Sequence, residues 1–404
     1  MEKAVIRLNV LIGFILCFVF VGEAKVKLPV ILSDGMVIQR DDSIRIWGWA
    51  DAGERVEVGF LKKTYETVAD AEGNWVLMLS PAKAGGPYVM TINEIELKDI
   101  LIGDVWLCSG QSNMETTIQR VFERFEDEIL SYENTHIRHI KLQHDYDFRG
   151  EADDIKPTAW QPVTQEYVMP MTAVSYFFAR FLYERTGVPI GLVNSSVGGS
   201  PAEAWVSEAW LQDFPHYLRD MKICREEGYI EETQRLQNRR NRLYNDQLNA
   251  GDPGLAEDWK NPAYDDGDWL SVDMFSDWGS DGQRWVNGSH WFRKTVEAPA
   301  HLAGKAAVLR LGCMVDADSV FVNGVFVGNT TYQYPPRIYP IPEGLIKAGE
   351  NNITIRLFSN GGAPSFVEEK PYKIVFDNEE ISLLGEWEYR LGCRMLPLPG
   401  GVNF

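Results

Sequence analysis

The stretch WLCSGQSNME, residues 106–115, runs from an apolar segment into a polar turn that carries Ser112. A strand-to-helix turn of this kind can lift a hydroxyl out of a sheet and leave backbone N–H groups pointing at a nearby anion. A second turn, Gly198-Gly199-Ser200, follows the apolar segment VPIGLVNSS. Glycine at such a turn lets a backbone N–H approach a substrate oxygen, as an oxyanion hole requires. If both preceding segments are parallel strands joined by a right-handed crossover, the two turns emerge at the same carboxyl edge of the sheet. The chemistry this pairing suggests is nucleophilic attack on a carbonyl. Residue types alone leave a plainer alternative open, because most serines on tight turns serve only the turn.

The elements that must position these turns can be read from periodicity. Residues 25–100 contain short alternating segments (SIRIWGWA, RVEVGF, NWVLMLS) separated by DDS, DAGE, DAEG and KAGGP, the pattern of an N-terminal β-sandwich. After Ile100 come the apolar run DVWLC, the longer segment METTIQRVFERFEDEIL and a strand-like segment, THIRHIKLQ. In AVSYFFARFLYERTG, Val174, Phe177, Phe178, Phe181 and Leu182 recur at helical spacing, and Gly187 closes the helix. Strand, helix and strand in alternation predict a parallel α/β sheet for residues 101–207. Residues 208–258 are charged and helical. Residues 259–376 return to β structure, with the Asn323-Gly324 hairpin signal in VFVNGVFVG, and read as a jelly roll. ISLLGEWEYRLG, within 377–404, reads as the start of a return to the α/β domain.

With 404 residues, 45% of them hydrophobic and 24% charged, the chain has room for two or three globular domains. A net charge of −19 without a Lys/Arg block repels phosphate backbones, so no nucleic-acid partner is expected. Residues 1–24 read as a secretory signal: Lys3 and Arg7 precede an apolar run from Leu11 to Val21, and Gly22 and Ala24 sit at −3 and −1 of a cut before Lys25. That run is short for a span of about 20 residues, so a secreted or periplasmic protein with no membrane span after cleavage is expected. Cys108, Cys224, Cys313 and Cys393 are widely spaced and contain no CxxC pair, which argues against metal ligation and leaves disulfides undetermined.

The wording of the motifs adds a resemblance. DVWLCSGQSNME at 104–115 resembles the first block of the SGNH-hydrolase superfamily in its GQSNM variant, and VPIGLVNSSVGGSPAEAW at 188–205 resembles the companion block. LSDGMVIQR, WGWADAGERVEV and AGGPY are similar to the N-terminal β-domain of sialate O-acetylesterases. Residues 259–376 resemble the galactose-binding-like jelly roll that interrupts the catalytic domain of that family. The resemblance implies an SGNH-type (flavodoxin-like) three-layer α/β core with an N-terminal β-sandwich and an inserted jelly roll. It implies Ser112 as the nucleophile on an acetyl carbonyl. The N–H of Ser112, with that of Gly198 or Gly199, would hold the oxyanion. Gln111 and Asn113 are assigned to shaping the turn and Trp205 to core packing, with stacking of Trp205 on sugar left open because Glu203 and Trp205 lie close to the turn. Hydrolysis of an ester this way needs no metal or cofactor.

A serine nucleophile also needs a base, normally a histidine oriented by an acid. The family carries it in a C-terminal D-x-x-H block, preceded by a QGE-type block, and neither occurs within these residues. Asp213-Phe214-Pro215-His216 fits D-x-x-H but lies in the helical insertion, far from the family position. His136, His139, His144, His290 and His301 are assigned surface or structural roles. The expectation is therefore a carbohydrate O-acetylesterase for O-acetylated sialic acid, with an incomplete core and little activity from this chain alone. Two alternatives stay open: a non-catalytic carbohydrate-binding protein using tryptophans such as Trp269, Trp278, Trp285 and Trp291, and an esterase for another acetylated polysaccharide such as xylan. Oligomeric state is not legible.

Overall fold

A computed structural model of the chain describes residues 26–282 and 284–402, so the expected secretory signal at 1–24 lies outside the described residues. The first strands are β1 (Val37–Gln39), β2 (Ile44–Trp49), β3 (Arg55–Phe60), β4 (Lys63–Val68), β5 (Asn74–Leu79), β6 (Gly85–Ile92) and β7 (Ile95–Gly110). Burial follows the two-residue period of the sequence. In β3, Val56, Val58 and Phe60 are buried while Arg55 and Glu57 face solvent. Beyond them come α1 (Ser112–Glu115), α2 (Ile118–Leu130), β8 (Asn134–Lys141), β9 (Gln161–Val163), α3 (Ala173–Thr186) and β10 (Ile190–Ser196).

Strand β7 joins the two halves of one mixed sheet, ordered β4-β3-β6-β7-β10-β8-β9 with β1 also on β7. Its first half pairs antiparallel with β6, and residues 104–110 pair parallel with β10. β8 lies parallel on the far side of β10, and β1 pairs parallel with residues 101–103. This is a sheet with parallel strands at its α/β end. Ile137, Ile190 and Leu192 from its strands are fully buried beneath Ile118 and Ile129 of α2 and Tyr176 and Ala179 of α3.

Helix α3 begins where Thr172 accepts the Ser175 N–H and ends at Gly187, whose φ of +64° suits a residue without Cβ. Its buried face overlaps the expected stripe only in part, at Phe177 and Leu182, which pack against the core. Ala173, Ser175, Tyr176 and Ala179 face the core, whereas Val174, Phe178 and Phe181 are exposed. The small residues let α3 sit close to the sheet. The displaced aromatics lie toward β7, where Trp106 meets Phe178 edge to face at 5.0 Å and Leu107 is also exposed. On the side of residues 104–110 away from β10, no strand pairs among the described residues.

Residues 215–256 form α4 (Pro215–Cys224), α5 (Tyr229–Ala250) and α6 (Pro253–Ala256). Next comes an antiparallel β-block. Among the described residues, six strands run in the spatial order Leu270–Asp273, Glu386–Met395, Asn287–Ala298, Gly349–Ser359, Ala317–Val322 and Val325–Thr330. A second sheet of four strands contributes Leu309, Leu311 and Ile374 to the same core as Phe292, Val320 and Ile355. Here the structure departs from the reading of 377–404 as a return to the α/β domain. Glu386–Met395 pairs with Asn287–Ala298, and Trp387 is buried in the β-block core. Trp269, Trp278 and Trp291 are likewise buried, and only Trp285 of the four named tryptophans is exposed.

The β-block encloses a charged pair with no solvent access. Arg337 donates Nε to Asp318 Oδ1 at 2.6 Å and its other nitrogens to the carbonyls of Met314, Asp316, Gln333 and Pro335. Removing one partner of such a pair leaves a buried charge uncompensated. Arg337→Met is therefore expected to destabilise the chain by about 3–5 kcal/mol. Urea denaturation of both proteins checks this, and superimposable curves would refute it.

Candidate functional site

Because Ser196 of β10 pairs in register with Gly110 of β7, the two turns leave the same edge of the sheet. Val197 N–H then donates to the Gly110 carbonyl at 3.0 Å, continuing the contact past the last strand residue. Gln111 reaches across with its side-chain amide to the Ser200 carbonyl. The serine turn and the glycine turn are thus fastened at two points before any chemistry is considered.

Ser112 opens α1, a helix of one turn, and is exposed. Its carbonyl accepts the N–H and hydroxyl of Thr116, at 2.9 Å and 2.8 Å. Its own hydroxyl makes no hydrogen bond among the described residues, so it is free to face a substrate. Asn113 beside it is also exposed.

Glu115 stands three residues after Ser112, on the same turn of helix, and Gly198 N–H donates to its Oε2 at 2.8 Å. A Cβ on Gly198 would come within 2.3 Å of that oxygen and 3.7 Å of the Ser112 Cα, so a larger residue would push the Glu115 carboxylate off the Gly198 N–H. Gly199 has a φ of +78° and open space beside it. The N–H groups of Ser112 and Gly199 donate to no acceptor among the described residues, whereas that of Gly198 is taken. Ser200 turns its hydroxyl to the Val197 carbonyl and accepts the Trp205 indole N–H at 2.8 Å. Trp205 is exposed beside the turn rather than packed in a core.

The residues that the sequence analysis did not assign to the site are Glu115 and His144. His144 Nε2 lies 3.0 Å from the Ser196 carbonyl and 3.7 Å from Glu115 Oε1. Glu115 was visible within the motif as an acid on the same helical turn. His144 carries no such signal, since 52 residues separate it from Ser196. Of the other histidines, His139 is buried with neither ring nitrogen paired, and burial pushes it down to about 4. His290 is buried between the Tyr389 hydroxyl and the Val286 carbonyl, and His301 pairs with Glu379. His136 stacks on Tyr183 and His216 lies against Tyr217. No histidine is hydrogen-bonded to Ser112 among the described residues.

Glu115→Ala is expected to speed hydrogen exchange at the Gly198 amide on the order of tenfold, the loss of one charge-assisted bond. Glu115→Gln keeps an acceptor in place and should change it less. Exchange measured by NMR at Gly198 decides the matter, and equal protection in all three proteins would remove Glu115 from the site.

Comparison with known proteins bears on the same stretch. Residues 102–233 match the family described as carbohydrate esterase, sialic acid-specific acetylesterase. Sialate O-acetylesterase of Rattus norvegicus is 34% identical over 199 residues, covering 44% of this chain and 36% of the relative. The Homo sapiens sialate O-acetylesterase is 33% identical over 200 residues, covering 44% of this chain and 38% of that one. A carbohydrate acetylesterase from Xanthomonas citri, known by its crystal structure, shares 36% identity over 47% of this chain and 44% of its own, with a TM-score of 0.44. The matched region thus spans well under half the length of these relatives.

Proposed function

We propose, from the match of residues 102–233 to the sialic acid-specific acetylesterase family, that the chain belongs to a carbohydrate O-acetylesterase whose nucleophile is Ser112. The observation that carries this reading is the register of Ser196 on Gly110, which sets a free serine hydroxyl beside a glycine turn with an unused N–H. In the proposed reaction Ser112 Oγ attacks the acetyl carbonyl carbon as its proton passes to solvent. The carbonyl oxygen becomes an oxyanion held by the N–H groups of Ser112 and Gly199. Collapse of the tetrahedral species expels the sugar alkoxide, which takes up a proton, and leaves acetyl-Ser112; water then releases acetate. Gly198 joins the donors if Glu115 lets its N–H go.

O-acetylated sialic acid is the proposed substrate, and the named relatives support it. We propose export of the protein on the strength of the leader pattern at 1–24, and read the β-block as the galactose-binding-like jelly roll. A second reading, a glycan-binding protein without turnover, draws support from one observation: no described histidine is placed to take the Ser112 proton. A fluorophosphonate probe followed by peptide mapping separates the two, because an adduct at residue 112 reports a nucleophilic serine. An unlabelled Ser112 favours the binding protein.

A further inference from the structure

Away from the serine turn, β2 and β5 form a two-stranded antiparallel sheet in the N-terminal part, with Trp47 opposite Val76 and Trp49 opposite Asn74. Alternation along β2 buries Ile44, Ile46 and Gly48 and turns Arg45, Trp47 and Trp49 to the other face. A cleft of about 320 Å³ lies over this face, within the range of small-molecule sites. Arg45, Trp47, Trp49, Asp70, Asn74 and Asp153 supply its aromatic and polar lining.

Each indole is held by a cation. The Arg45 guanidinium lies over Trp47 at 5.3 Å and the Lys27 ammonium over Trp49 at 5.1 Å. The lining is also rich in groups with nothing to bind. Among the described residues, the Arg45 guanidinium has no ion pair, and the Asn74 carboxamide and Asp153 carboxylate have no hydrogen bond. Asp70 uses one oxygen to receive the N–H groups of Glu72 and Asn74. Trp75, also among the lining residues, is buried against Gly48, and its indole N–H finds no acceptor.

We propose that this cleft binds a neutral oligosaccharide. Two indoles at i and i+2 on one strand face stand roughly 6–7 Å apart along the chain, which suits two successive sugar rings rather than one. The indole faces that Arg45 and Lys27 leave uncovered take up the apolar faces of pyranose rings, and the guanidinium N–H groups, the carboxamide and the carboxylates around them exchange hydrogen bonds with hydroxyls. The charges select the ligand class. Arg45 and Lys27 are matched by Asp70 and Asp153, so the cleft holds no net positive field for a phosphate or a sugar acid. It carries too many unfilled polar groups for an apolar peptide. The site would keep an extended glycan on the protein independently of the serine turn, and its existence does not depend on the esterase reading.

Calorimetric titration of the full chain with cellohexaose, xylohexaose and 3′-sialyllactose tests this directly, because none of these probes carries an acetyl ester. A neutral hexasaccharide is expected to bind, with Trp47→Ala and Trp49→Ala each weakening it about tenfold or more. Asn74→Ala and Asp153→Ala change exposed side chains only and should weaken binding severalfold with an unchanged melting temperature, which serves if the tryptophan variants misfold. Ser112→Ala should bind as the parent does. The proposal fails if neither neutral probe binds at millimolar concentration, if only sialyllactose binds, or if binding survives the substitutions in the cleft.

Discussion

Ser112→Ala is expected to abolish covalent labelling of the chain by a fluorophosphonate, with the adduct in the parent mapping to the peptide that contains GQSNM. The reagent presents a phosphorus centre to an attacking oxygen and, once bonded, resembles the tetrahedral intermediate of acyl transfer. Ser112 is exposed, its hydroxyl is unbonded, and its own N–H and that of Gly199 on the adjoining turn lack acceptors. Because no described histidine activates it, labelling should take hours rather than minutes. In enzymes of this chemistry, loss of the nucleophile costs about 10⁶ in turnover. The alanine variant should therefore show no adduct at all on that timescale. An adduct that persists in the variant, or one that maps elsewhere, would assign the nucleophile to another residue.

Acetate release by these 404 residues on their own should be slow, on the order of 10⁴–10⁶ below an acetylesterase with its base in place. The reason is geometric. A serine hydroxyl loses its proton only as a neighbouring group accepts it, and none of the described histidines is hydrogen-bonded to Ser112. His144 stands nearest the site, but its Nε2 is directed to the Ser196 carbonyl and to Glu115. Its replacement by asparagine should thus leave the residual rate where it was. Acetate measured from O-acetylated sialic acid in parent and His144→Asn checks both statements. Turnover near that of an esterase with its base in place, lost in the variant, would make His144 the base.

Much of the local structure was legible because it depends on neighbours in the chain. The alternation in β3, the Thr172 and Gly187 ends of α3 and the Asn323-Gly324 hairpin each follow from a few adjacent residues and their allowed dihedrals. The stripe on α3 was legible as apolar, but only Phe177 and Leu182 of it pack against the core. Periodicity names a face, and packing decides which face meets the sheet. Here the small side chains at Ala173 and Ala179 face inward and the larger Phe178 and Phe181 do not.

For the site, the sequence by itself determined the chemical parts: a serine after a short strand, a glycine pair after another, and an acid three residues beyond the serine. Tertiary structure alone decided how they meet. The match of Ser196 to Gly110, the bond from Gly198 to Glu115 and the approach of His144 join residues 52 to 86 positions apart. The pairing of Glu386–Met395 with Asn287–Ala298 spans a still longer separation. Such contacts arise from strand register and from the burial of one face against another. A local pattern constrains the residues that can take part in them, but the partner is selected only when the whole sheet closes over its core.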